Sequence, residues 1–443
     1  MIDAADPLGN PIRVERESSV AAIGGFVEGF LAYEPRIIEV LAAAEQDESL
    51  IVQACAAVLC LFSESAAGAP KARRLLERAA RAALPATERE RAFANAVALW
   101  AAGDLHAALA AHEAMARRFP RDLAAIKLGQ VHAFNLGDAP AMLRLALASL
   151  PACADLAWAH GMAAFGWEQC HRLDEAERSA RHALAMRAAE PWAEHALAHV
   201  MLTEGRLAEG AAFLRAASGP WRGLTSFMRT HNWWHLALFQ LELGQDAEAL
   251  ALYDREVWGV DKRYSQDQVG AVSLLARLEL AGVDVGARWD ELAPWLAART
   301  ADQVLPFLDL QYLYGLARAG RPEAGVLMRN MEVHSNRVPA SQSAAWAAVA
   351  LPAARGLLAH ARGDWPGAAE SLLAALPRLA LIGGSHAQRD LFEQIAIDAL
   401  YRAGQLSALQ NLLQPSANAL PQSRRIKRRL DAVNSGLGLP PLH

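Results

Sequence analysis

Seven times in this chain a glycine stands between the end of one apolar helical stretch and the start of another. The turns are Ala102-Gly103-Asp104, Leu136-Gly137-Asp138, Glu204-Gly205-Arg206, Leu243-Gly244-Gln245, Ala319-Gly320-Arg321, Arg362-Gly363-Asp364 and Ala403-Gly404-Gln405. Cys170-His171-Arg172 keeps the pattern without the glycine, and Leu173-Asp174-Glu175-Ala176 starts the helix after it. Glycine suits such a position because it takes the left-handed backbone that ends a helix at little steric cost. Gly137 follows Gly103 by 34 residues and Gly244 follows Gly205 by 39. The degenerate turn sits between them at steps of roughly 34 residues.

A helix–turn–helix unit of that length is the tetratricopeptide spacing. At 443 residues the chain is too long for one ordinary compact core, so it forms either several domains or a continuous array. A hydrophobic content of 53%, with runs of Ala, Leu, Arg and Glu, favours packed helices. The expected fold is all-α: a right-handed, tetratricopeptide-like helical repeat solenoid, with an irregular central insertion as the candidate for closing it. Residues 1–85 are expected to be helical without a clean repeat, with helices over Ala21–Ala43, Ile51–Ser63 and Pro70–Ala83. Residues 86–254 carry the repeats and the histidine-rich centre, 255–310 the insertion, 311–430 the C-terminal repeats, and 431–443 a Gly/Pro-rich tail.

The histidines are the chemical feature of the centre. His195-Ala-Leu-Ala-His199 and His231-Asn-Trp-Trp-His235 each hold two imidazoles four residues apart, hence on one helical face. His160 and His132 occupy similar positions in the two preceding repeats, which makes a stripe of six. Neutral imidazoles at that spacing can share a divalent ion, with a carboxylate from Glu194, Asp309 or Asp390. The His-Glu-x-x-His pattern is absent, however, and the sequence names no metal or cofactor. A metal-free enzyme would use His199 or His231 as general base, Asp309 or Asp390 to fix a tautomer, and Arg389 to orient an anionic substrate. Trp192, Trp233 and Trp234 would then wall the pocket, with His132, His160, His195 and His235 as further binding residues. A third reading makes these histidines core residues bonded to backbone or to one another, with Asn232 completing the network. Gly383-Gly384-Ser385 is either a tight turn with Ser385 capping the next helix or an anion cradle.

Several stretches resemble the tetratricopeptide repeat protein 38 family, which has bacterial and eukaryotic members. They are Asp122-Leu-Ala-Ala-Ile-Lys-Leu128 with His132, Gly161-Met-Ala-Ala-Phe-Gly166, Trp192-Ala-Glu-His-Ala-Leu-Ala-His-Val200, His231-Asn-Trp-Trp-His235 and Ile382-Gly-Gly-Ser-His-Ala-Gln-Arg-Asp390. The resemblance runs from about residue 85 to about residue 410 and implies an all-helical repeat fold. It implies no common activity. Gln311 departs from it, since the family often has histidine there.

A net charge of −5 argues against a general nucleic-acid binder. The basic run Arg424-Arg425-Ile426-Lys427-Arg428-Arg429 reads as the solvated face of a final helix or a contact between copies. Four dispersed cysteines, the lack of a secretory leader and the absence of a long apolar span point to a cytoplasmic protein with no membrane partner. The expected partner is a small molecule or a protein, and a homodimer is permitted without being required. With no nucleophile or complete metal signature visible, binding through a histidine/tryptophan-lined concave pocket is favoured over an enzyme using the same histidines.

Overall fold

The computed structural model describes residues 1–440, so the last three residues of the expected tail lie outside the described residues. The chain is all-α, helix packed on helix in a solenoid-like arrangement, and the strands β1 (Ile2–Ala5) and β2 (Pro11–Val14) form a single antiparallel hairpin. No helix among the described residues is long and apolar enough to cross a membrane.

The hairpin corrects the expectation of an all-helical N-terminus. Asp6 accepts bonds from the Leu8 and Asn10 N–H groups at 2.9 Å each, and Gly9 adopts φ 84. Ile12 and Val14 of β2 are buried. The helix expected over Ala21–Ala43 is divided into Glu17–Ala32, a 3₁₀ turn at Pro35–Ile38 and Glu39–Gln46. It breaks because Tyr33 takes a left-handed φ of 57 and Pro35 then opens a new turn.

The repeat follows the glycines. First helices of successive pairs begin at residues 88, 123, 157, 191 and 226, steps of 34 or 35. All seven turn glycines have φ between 65 and 83. At each of the early turns the next residue's N–H reaches back to the first helix, as in Asp104 to Leu99 at 3.0 Å and Asp138 to Ala133 at 2.9 Å. Asp104, Asp138 and Asp364 then cap the returning helices through the N–H groups of Ala107, Ala141 and Gly367. The turn without glycine uses the same geometry. His171 takes φ 55, and Arg172 N–H bonds the Trp167 carbonyl at 2.9 Å.

The chain divides into two compact units: residues 1–197 with 220–228, and residues 198–219 with 229 onward. The first contains the hairpin and the early repeats. Lys127, in the Leu123–Asn135 helix, is buried in it and donates to the carbonyls of Phe30 (2.8 Å) and Leu31 (3.0 Å), with its Nζ 3.8 Å from the Tyr33 ring centroid. Burial pushes this amine down to about 7 and pushes the Glu190 carboxyl up to about 7. Glu194 is likewise raised to about 7 by burial, opposed by the 2.8 Å bond it accepts from the Trp221 indole.

In the second unit the stretch read as an irregular insertion holds a further antiparallel pair, Ser265–Leu280 with Arg288–Ala297, turned by Gly282 at φ 90. Pro306–Arg318 pairs with Glu323–Ser335, Leu351–Ala361 with Trp365–Ala375, and His386–Arg402 with Leu406–Ala419. The helix Arg424–Gly436 takes up the first half of the expected tail.

Two stability measurements test this description. Replacing His171 by Gly is expected to raise stability by about 1 kcal/mol, since it removes the steric cost of a left-handed non-glycine residue; urea unfolding that shows no gain would contradict the strain. Glu194 binds a proton more tightly folded than unfolded, so its contribution is full below pH 4.5 and is lost as pH rises through 7. Buried neutral histidines such as His231 act in the opposite sense over this range, so the test is a difference: relative to the wild type, Glu194→Gln is expected to remove a fall of about 2–3 kcal/mol in unfolding free energy between pH 4.5 and pH 7.

Candidate functional site

The helix Ser226–Glu242 presents His231 and His235 one turn apart, with their Nε2 atoms 3.2 Å from each other. His231 lies parallel to the buried Trp234 (centroids 5.2 Å, interplanar 10°), and Trp234 meets His235 edge-on at 4.8 Å. His199 stands 4.6 Å from His235. This is a buried histidine–tryptophan cluster. Burial, with a smaller effect from His199, lowers the His231 imidazole to about 3, so it is neutral at physiological pH. A 3.2 Å gap serves an imidazole–imidazole hydrogen bond, and it is also the separation of two nitrogens about 2.0–2.1 Å from a tetrahedral zinc ion. His231 and His235 are therefore the pair in this unit suited to hold such a metal.

Trp234 connects the cluster to a charged cavity. The Arg277 guanidinium lies 5.5 Å from the Trp234 ring and the residue is only 3% exposed. Arg277 donates to Ser273 Oγ and to the Ala387 carbonyl (2.7 Å), and its Nη2 is 3.6 Å from Asp390 Oδ2. Burial draws it down to about 10, so it remains a cation at neutral pH. The cavity that it lines has a volume of about 570 Å³ and lies wholly within the second unit.

One wall of the cavity is built by the helix His386–Arg402, which the turn Gly383-Gly384-Ser385 introduces. Gly384 has φ 81, and a Cβ there would lie 2.9 Å from the Phe307 ring, so the turn needs glycine for both conformation and space. Ser385 and Gln388 cap the helix reciprocally. His386, Arg389, Asp390 and Glu393 then line the cavity. Arg389 donates to the Gly384 carbonyl and lies 3.3 Å from His386 Nδ1. Opposing charge comes from Arg425, which donates to Glu242 at 2.6 Å, while Ser423 holds the other oxygen of the same carboxylate. Burial and the neighbouring Asp390 raise Glu393 above its ordinary value.

Of the residues singled out in the sequence, His199, Arg389 and Asp390 line this cavity, and His231, His235 and Trp234 form the cluster that abuts Arg277. Trp233 is half-buried on the same helix. In the first unit, His195 stacks on Trp192 at 4.6 Å beside Phe165. His160 is half-buried, bonded to the Ala154 carbonyl at 3.0 Å and packed on His182. His132 is buried with His112 and Trp100, and burial holds it well below its ordinary value. Asp309 is buried in the Pro306–Arg318 helix and outside the cavity lining, its carboxyl pushed far up by burial. Asn232 is buried too, and its amide has no hydrogen-bond partner among the described residues.

The sequence reading missed Arg277, Arg425, Glu242 and Glu393. Arg277 had a visible signal, a single cation inside the apolar run Val269–Leu278. Arg425 was hidden in the basic run read as a solvated face; instead it is ion-paired, as is Arg429, whose Nη2 lies 3.3 Å from Asp398.

No family model matches the chain. Among solved structures it is similar to a human IFIT1 dimer with PPP-AAAA, at 11% identity and a TM-score of 0.43, covering 93% of this chain and 96% of that one. A human IFIT1 dimer with m7Gppp-AAAA is similar at 11% identity and a TM-score of 0.41, covering 88% of this chain and 89% of that one. The likeness is one of architecture, an all-helical tetratricopeptide-like repeat. Those two structures hold PPP-AAAA and m7Gppp-AAAA, and the exclusion of a nucleic-acid partner for this chain, which rested on net charge alone, is withdrawn. Net charge averages over a whole surface and cannot by itself remove a class of partner.

Proposed function

We propose that this chain is a helical-repeat protein that binds a small molecule in the cavity of its second unit. The observation that carries the reading is Arg277, a guanidinium 3% exposed that lines a cavity of about 570 Å³. Holding a cation there costs desolvation, and perturbed charges in a cleft mark binding and catalytic sites. The volume lies in the range of small-molecule pockets. Support also comes from Ile382–Asp390, the stretch on which the resemblance to the tetratricopeptide repeat protein 38 family rests most heavily. Its residues from His386 onward contribute to the lining. The four cysteines are free thiols, which suits a reducing compartment such as the cytoplasm.

A second reading, acid–base chemistry on the bound molecule, is favoured by the position of His199 and His386 in the cavity wall. Of His199, His231 and Asp309, His199 is the one that lines it.

Thermal unfolding of the purified protein against a small-molecule collection spanning anions, cations, zwitterions and neutral compounds tests the binding reading. A ligand present at about 100 times its Kd adds about 2.7 kcal/mol and so raises the unfolding temperature by several degrees. Ala387→Trp, which places an indole in the cavity, is expected to abolish the shift. Shifts that persist unchanged in this variant, or no shift with any class of compound, would overturn the proposal.

A further inference from the structure

The lining of the cavity is balanced in charge. Arg277, Arg389 and Arg425 share one half-open cavity with Glu242, Asp390 and Glu393. Asp390 and Glu393 are three residues apart on the His386–Arg402 helix, so their carboxyl groups share a face. Arg277 enters from the Ser265–Leu280 helix, with Asp390 3.6 Å away and its closest bonds made to the neutral Ser273 and Ala387 oxygens. Between the charges lie apolar surfaces from Leu202, Leu238, Leu379 and Leu420.

A ligand with a net charge would leave one lining charge in excess inside a partly dry space, a costly arrangement. A ligand with one charge of each sign would not. Its carboxylate would add a partner to Arg277, whose surroundings weaken its charged form, and its ammonium would relieve the crowding of Asp390 and Glu393. We infer that the cavity takes a zwitterion of the α-amino-acid class, bearing a primary amine, a carboxylate and a large apolar side group. The inference rests on the small-molecule reading above.

Calorimetric titration of the full chain at pH 7.5 with four probes of one shape tests it: L-phenylalanine, 3-phenylpropanoate, phenethylamine and the neutral 3-phenylpropanamide. L-Phenylalanine is expected to bind about tenfold or more tighter than each of the other three. Glu393→Gln should narrow its advantage over 3-phenylpropanoate, and Arg277→Met its advantage over phenethylamine, both variants being checked for an unchanged unfolding temperature. The wild-type ranking alone decides the matter if a variant fails to fold. Equal or tighter binding of 3-phenylpropanoate, phenethylamine or the amide overturns the zwitterion. Absence of binding by all four probes, while some other compound gives a shift that Ala387→Trp abolishes, also overturns it and leaves the cavity reading standing. If no compound of any class binds, the cavity reading itself has failed.

Discussion

Every helix pair in the early repeats depends on one backbone event, a residue that turns left-handed at the end of the first helix and lets the chain come back along it. The steric cost of that conformation is small for glycine and about 1–2 kcal/mol for other residues. This is why the turns could be read from composition at fixed spacing. The helices they join are rich in alanine, and interior positions such as Ala108, Ala125, Ala163 and Ala196 are fully buried. Small side chains leave little to specify register, so the large or polar groups that interrupt them, such as Phe239 against Gly210, carry more of the specificity.

The same dependence explains what was legible in the sequence. Where a glycine sat at about 34-residue spacing, the helix pair was visible. It was missed between Gly244 and Gly320, where Gly282 turns the chain in the same way but is followed by the apolar Val283 rather than by Asp, Arg or Gln as at the other glycine turns. His171 shows the converse: context rather than residue type imposed the left-handed turn. At the N-terminus, the β-hairpin Ile2–Val14 had no periodic signal strong enough to compete with the helical texture that follows.

The candidate site was legible only in half. Histidines and tryptophans attract notice because they are scarce, and the His231/His235 geometry follows from helix spacing alone. Charges brought together from distant positions leave no such trace. Arg277, Asp390 and Arg425 meet because three helices converge, and none of the intervals between them is periodic. Likewise, a helical stripe of histidines says nothing about partners. His132 meets His112 and His160 meets His182, each from the second helix of its own hairpin or of the one before.

Lys127 has a consequence for the order in which the first unit can form. The carbonyls it caps, Phe30 and Leu31, end a helix that leaves the ribosome 97 and 96 residues before the lysine does. Until the Leu123–Asn135 helix exists, the last turn of the earlier helix has only water for those acceptors. The amine in turn offsets part of its desolvation cost on those carbonyls and on the Tyr33 ring. The beginning of the chain is therefore a segment held in waiting during synthesis. Its final docking is timed by the second of the repeats rather than by its own emergence.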